Sequence, residues 1–180
     1  MRAGDVSVRG ASAKDAAACV AVYRPYVEDT AISWEIDVPT VSEMAARITG
    51  LRDTHEWLVL EHDDRVVGFA YAQPLKRLPA LQWSAETGIY VDAAQHRIGG
   101  GVALYTELLR RLAGRGYRRA VAGITQPNEA SNAFHRSLGF DDAGLYRRVL
   151  WKFGGWHDVA WMQRDLLDDG EPDGAPRPIE

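Results

Sequence analysis

Three consecutive glycines stand between a strand pattern and an amphipathic helix pattern, and they constrain the fold more than any other feature of this chain. The strand pattern runs from Glu86 to Val91. The loop reads His96-Arg97-Ile98-Gly99-Gly100-Gly101. The helix that follows carries Val102, Tyr105, Leu108, Leu109 and Leu112 on one face. Glu107 and Arg111 pair at i,i+4 on its wet side, and Gly114 or Gly116 ends it. Glycines let backbone N–H groups converge on an anion without Cβ obstruction. A helix start adds unpaired donors and the positive end of the dipole. Together they suit a diphosphate, and Arg97 adds charge. The plainer reading is a flexible turn. The loop lacks the Lys-Ser/Thr ending of a P-loop, and Ala103 and Leu104 occupy the later positions of a dinucleotide fingerprint. Nucleotide hydrolysis and Rossmann-type binding are therefore disfavoured.

The chain has 180 residues, which fits about one domain. A chain of this size buries about 70% of its unfolded surface, so it needs no disulfide or metal to fold. Its 21 basic and 25 acidic residues leave a net charge of −4, a poor balance for nucleic-acid binding. The one cysteine, Cys19, sits in an alanine-rich helical stretch and reads as a buried small hydrophobe rather than a catalytic thiolate. The start of the chain does not resemble a signal peptide, and no apolar run approaches the ~18 residues of a membrane span. The expectation is a soluble cytoplasmic protein with no membrane partner.

Along the chain, Val6–Arg9 alternates as a strand. Ser12 and Asp15 form a weak capping box before a helix reaching about Tyr26. Residues 27–40 are irregular, and Ser42–Leu51 reads as a second helix. Trp57–Leu60 and Val66–Ala72 read as a hairpin joined by the polar turn 61–65. A loop with Pro74 and Pro79 precedes the strand that opens with Glu86. After the glycine helix come a strand (Arg119–Ile124), a short helix after Asn128, and strands near Leu145–Lys152 and His157–Gln163. Residues 1–166 read as one domain. Residues 167–180 are acidic and rich in Pro and Gly, and are expected to be poorly ordered. A mixed sheet flanked by helices is the physical expectation.

Three groups have chemical potential. Glu86 opens an otherwise apolar strand; partial burial would raise its pKa and suit it to proton abstraction, against the commoner solvated strand-end carboxylate. Asn128 is an N-cap candidate. His135, beside Phe134 in a short helix, is either structural or a proton carrier. The histidine spacing shows no metal motif. Lys76 and Arg77 precede the Glu86 strand and would bind an anion such as a carboxylate, or simply form a solvated basic loop.

Together these segments resemble the GNAT family of N-acetyltransferases, from about Val6 to Leu166. That family carries an Arg/Gln-x-x-Gly-x-Gly/Ala loop after a strand; here Gly99 and Gly101 match and the first position is His96. Asn128, Ser131 and Leu138-Gly139-Phe140 fit its later helix, with His135 where many members have tyrosine. Within the family, four blocks resemble the phosphinothricin acetyltransferases: Trp83–Glu86, Leu104-Tyr105-Thr106, His135 and Lys152–Val159.

The resemblance implies an acyl-CoA N-acyltransferase fold with a mixed, mostly antiparallel sheet. It implies acetyl transfer from acetyl-CoA to a small amine, with phosphinothricin or methionine sulfoximine as examples, and a homodimer. Glu86 is the expected base, directly or through water, and His135 the expected proton source for the thiolate. Ile89, Tyr90, Val91, Arg97, Ile98, Gly99, Gly100, Gly101, Val102 and Asn128 would hold the cofactor. Trp34, at an aromatic position of the relatives, would join Lys76 and Arg77 at the amine. No metal is expected. The rival readings are an acetyltransferase for an antibiotic or peptide amine, and a non-catalytic acyl-CoA sensor.

Overall fold

The computed structural model describes residues 6–95 and 99–178. Its elements are β1 (Val6–Gly10), α1 (Ala16–Glu28), α2 (Val41–Gly50), β2 (Trp57–His62), β3 (Arg65–Pro74), β4 (Ser84–Val91), α3 (Gly100–Gly114), β5 (Arg119–Gln126), α4 (Glu129–Ser137), β6 (Asp141–Lys152) and β7 (Gly155–Asp165). The strands form one sheet in the order β1-β2-β3-β4-β5-β7-β6. β4 and β5 run parallel, and the other neighbours are antiparallel. The sheet is thus mixed and mostly antiparallel, as expected.

Two layers of side chains cover the sheet. Trp57, Leu58, Val59 and Leu60 of β2 are all buried, because both faces there are covered. Trp57 and Val59 join Phe69 against α1 and α2 (Cys19, Tyr23, Met44, Ile48). Leu58 and Leu60 join Ala70, Ala72, Ala85 and Ala120 against α3. The alanines leave room for that helix. Gly100 completes the fit, since a Cβ there would lie 2.6 Å from a Leu60 methyl. The buried arc of α3 is Leu104, Tyr105, Leu108, Leu109 and Leu112. Val102, expected on that face, falls at its rim in the first turn and stays 48% exposed.

Local chemistry sets the element ends. Thr40 Oγ1 accepts from the Glu43 N–H at 3.2 Å, and Glu43 Oε2 accepts from the Thr40 N–H at 2.7 Å. This capping box starts α2 one residue before the expected Ser42. In the first hairpin His62 pairs with Arg65, leaving Asp63 and Asp64 at φ 49° and 60°. That is a two-residue turn with both positions left-handed, tighter than the expected 61–65.

After β7 the described residues cross the body without a helix or strand. Arg118 donates to the carbonyls of Asp168 and Glu171, and Trp83 Nε1–H to that of Gly174 at 2.7 Å. Arg177 N–H donates to Arg115 O at 2.8 Å, and Arg115 Nε–H returns a bond to Arg177 O at 2.7 Å. Composition does not reveal these contacts, because most of the tail's acceptors are main-chain carbonyls. No described helix is long and apolar enough to cross a membrane.

Candidate active site

The site begins where the parallel pair comes apart. β4 pairs with β5 only over Ser84–Glu86 against Arg119–Val121, whereas β5 stays paired with β7 through Gln126. Beyond Glu86 the two strands diverge and leave a gap in the middle of the sheet. The Asp92 N–H bonds Val67 O on the β3 side. By antiparallel alternation, Ile89 and Val91 therefore turn their N–H and C=O groups toward the gap. Tyr26 Oη donates to Val91 O at 2.5 Å. Thr87 Oγ1 closes the inner end: it donates to Val121 O at 3.2 Å and accepts from Tyr105 Oη at 2.7 Å.

A cavity of about 60 Å³ occupies the gap, lined by Thr87–Tyr90, Ala122–Thr125, Asn128, Ser131 and His135 among others. On the sheet face that carries α1 and α2 lies a cavity of about 810 Å³, lined by Trp34, Arg47, Tyr71, Gln73, Arg77, Glu86 and neighbours. Gly88 and Gly123 line both cavities. Each glycine makes room for an aromatic ring. A Cβ on Gly88 would lie 2.7 Å from the Tyr71 ring, and one on Gly123 would lie 2.6 Å from Trp34. The Trp34 Nε1–H donates to Thr125 Oγ1 at 2.9 Å, and Trp34 packs edge-on against Trp161.

Glu86 stands on the floor of the larger cavity. Burial raises its pKa above the usual carboxylate range, against a hydrogen bond from Gln73 and the charge of Lys76. A carboxylate so tuned is a better base near neutral pH than an exposed one. Glu35 behaves oppositely. Burial works against its charge, yet two bonds from Arg47 at 2.6 and 2.9 Å and one from Tyr23 Oη at 3.0 Å hold its pKa below the usual range.

His135 is buried among Tyr105, Phe134 and Phe140. Its Nδ1 lies 2.8 Å from Ser131 O. A carbonyl only accepts, so Nδ1 carries the proton and Nε2 of the neutral ring is an acceptor. Burial lowers its pKa, which the Ser131 bond only partly opposes. Burial thus favours the neutral ring, with its proton on Nδ1.

The remaining expected residues divide. Asn128 lines the gap and caps α4, its Oδ1 accepting from Ser131 N–H at 3.1 Å. Gly99, at φ 71°, leads into α3 and Gly100–Gly101–Val102 form its first turn. Arg97 and Ile98, with His96, lie outside the described residues. Arg77 lines the larger cavity; Lys76 does not, and instead lines a separate one of about 650 Å³ with Arg77, His55 and tail residues. Sequence reasoning missed Arg47, Tyr71, Gln73 and Thr87. Gly88 was a usable signal, since a glycine inside a strand often marks a close approach.

A sheet opened between two parallel strands, with a glycine-led helix after β4 and a carboxylate on the adjoining face, suits acyl transfer. Comparison with known proteins agrees. The Acetyltransferase (GNAT) domain family matches residues 8–161, and the chain belongs to that family. A phosphinothricin N-acetyltransferase of Streptomyces viridochromogenes is 36% identical over 97% of this chain and 93% of the relative. An L-methionine sulfoximine/L-methionine sulfone acetyltransferase of Pseudomonas aeruginosa is 32% identical over 89% of this chain and 94% of the relative. The crystal structure of a phosphinothricin acetyltransferase from Sinorhizobium meliloti, in complex with acetyl-CoA, superposes with a TM-score of 0.89 at 31% identity. It covers 94% of this chain and 95% of that one.

Proposed function

We propose that this protein transfers the acetyl group of acetyl-CoA to the primary amine of a small amino-acid-like substrate such as phosphinothricin or methionine sulfoximine. One observation carries the reading: Glu86, with its raised pKa, lines a large cavity that meets the β4–β5 gap at Gly88 and Gly123.

The residues present suit acetyl-CoA. Left-handed Gly99 opens the 15-residue α3, whose start favours phosphate. Ile89 would offer its backbone groups to an extended chain in the gap. When bound, acetyl-CoA would supply a thioester carbonyl open to attack by the amine nitrogen and a thiol leaving group: the C–S bond breaks as the C–N bond forms, and the second amine proton goes to the departing sulfur by way of solvent. Glu86 takes a proton from the substrate ammonium, directly or through water, to free the lone pair. Trp34 and Tyr71 wall the amine in, and Arg77 faces its acidic group. Neutral His135 holds α4 against the gap and offers Nε2 as an acceptor.

A homodimer fits the outer ribbon of the sheet. Leu145, Tyr146, Val149, Trp151, Phe153 and Trp156 are each about half exposed or more, and β6 is an edge strand of 12 residues. An apolar edge of that length is a liability unless covered, and a second copy would cover it. Sedimentation velocity reads the mass directly; a monomer at micromolar concentration would rule the dimer out.

The test of the activity is thiol release from acetyl-CoA with a panel of amines. Phosphinothricin and methionine sulfoximine should show the highest kcat/KM. Methionine should fall well behind, because a polar cradle built for the missing groups is left unpaired. Turnover confined to a peptide or antibiotic amine would overturn the substrate class. Binding of acetyl-CoA without turnover of any amine would favour a sensor instead.

A further inference from the structure

Lys152 ends β6 between two exposed aromatics, yet it is only 4% exposed. Its ammonium points inward and donates to the Ser33 carbonyl at 2.9 Å. It also lies 5.2 Å from the centre of the Phe153 ring. Burial lowers its pKa, and the charge of Glu35 opposes that shift. A buried cation is expensive, and an apolar side chain of similar length would fill the same space at less cost. The contact therefore has to be judged by what Ser33 holds.

Ser33 is fully buried in the segment between α1 and α2. Its Oγ lies 2.6 Å from Tyr23 Oη and accepts from the Glu35 N–H at 3.2 Å. Glu35 takes the fork of Arg47, which lines the larger cavity. Trp34, between Ser33 and Glu35, reaches the other way to Thr125 on β5. Three successive residues thus grip three different elements, and Lys152 holds the main chain of the first from a fourth. Without the ammonium, a buried carbonyl loses its partner. The turn would relax toward water, where Trp34, already 38% exposed, has room to follow.

We propose that Lys152 is a positioning residue for the amine cavity: by holding the Ser33 carbonyl it fixes the turn that sets Trp34 over Gly123 and Glu35 beside Arg47. This rests on the reading of that cavity as the amine site. Among the described residues, Lys152 makes no hydrogen bond to Glu86 or to the residues lining the β4–β5 gap, so its effect should fall on one substrate.

The test is Lys152→Met, which keeps the length and removes donor and charge, with Lys152→Gln measured in parallel as a neutral donor. Loss of a charged hydrogen bond should raise the amine KM roughly 10-fold or more. The KM for acetyl-CoA should stay within about 2-fold. In a Trp34→Ala background the Lys152→Met effect on amine KM should shrink to about 2-fold or less, because the side chain it positions is gone. Equal rises in both KM values, or an undiminished effect without Trp34, would overturn the proposal. Glu86→Gln in the same assay separates the two levels. If it leaves turnover intact, the cavity is not the amine site. If it abolishes turnover while both Lys152 variants keep a normal amine KM, the positioning role alone fails. A variant that does not fold is replaced in this reading by the other of the pair.

Discussion

Gly123→Ala adds one methyl group where the two cavities meet. The new Cβ would sit 2.6 Å from Trp34 Cη2, 2.8 Å from Cζ2 and 3.1 Å from Trp161 Cζ3. Carbon pairs rest at about 3.5–4.0 Å, so the Trp34 ring has to retreat by about 1 Å. The backbone of Gly123 is not left-handed, so the penalty is steric only. Trp34 can move outward, but the move stretches its 2.9 Å bond to Thr125. Overpacking of this kind costs about 1–3 kcal/mol, here discounted because one neighbour is partly exposed. A wall displaced by about 1 Å can cost a reaction on the order of 10²-fold. Steady-state thiol release should therefore show kcat/KM for the amine falling by 10- to 100-fold on that reasoning, with the acetyl-CoA KM little changed. Thr125→Val, which removes the acceptor hydroxyl, should reproduce part of the loss. A folded Gly123→Ala variant with normal amine kinetics would refute the placement of Trp34. So would one whose defect lies in acetyl-CoA.

Three further outcomes follow from the site and the tail. Glu86→Gln keeps the shape and should lose roughly 10²–10⁴-fold in turnover at pH 7; the deficit should narrow as pH rises and free amine accumulates. A near-normal rate at pH 7 would remove Glu86 from the base role. Gly99→Val puts a branched residue at φ 71°, a strain of about 1–2 kcal/mol, and should raise the acetyl-CoA KM about 10-fold while sparing the amine; equal effects on both would count against a cofactor loop. Truncation after Asp168 strips the Gly174 and Arg177 carbonyls from Trp83 and Arg115. Exchanging each of these bonds for water costs about 0.5–1.5 kcal/mol, so calorimetry should record a Tm lower by about 2–10 °C. An unchanged Tm would mean that the tail does not dock.

The parts of this fold that were legible are those set by neighbours in sequence. Alternation marked the strands, a 3.6-residue period marked α3, and the glycines marked its start. Thr40 and Glu43 carried a capping box that also stood open to reading. Val102 was misplaced because a helical period says nothing about where the partner sheet ends. Lys76 and Arg77 are adjacent in an irregular loop, where no period assigns direction, and they line different sets of cavities. His135 was legible as a residue but not as a chemical species. Its tautomer depends on Ser131 O, one helical turn back, and its pKa depends on three aromatic rings brought in from α3, α4 and the approach to β6.

The gap itself is the clearest case of information that local sequence does not hold. β4 and β5 both read as ordinary strands, and nothing in either says where their pairing stops. β5 is held to β7 from Arg119 to Gln126, while β4 follows β3 from Ala85 to Val91. Each strand obeys its antiparallel partner, and the parallel pair between them is the one that yields. A sheet opened in this way turns strand backbone toward a cavity, and buried backbone groups need partners. Here Tyr26 meets the Val91 carbonyl and Thr87 meets Val121 O. An extended ligand that offers its own amides can meet the rest, as a missing strand would. The same opening lets Gly88 and Gly123 line both the larger cavity and the gap. On the proposed reading, one structural event, the parting of two parallel strands after Glu86, would set where the cofactor lies, which face the amine approaches from, and why the carboxylate at the last paired position would be the group that meets it.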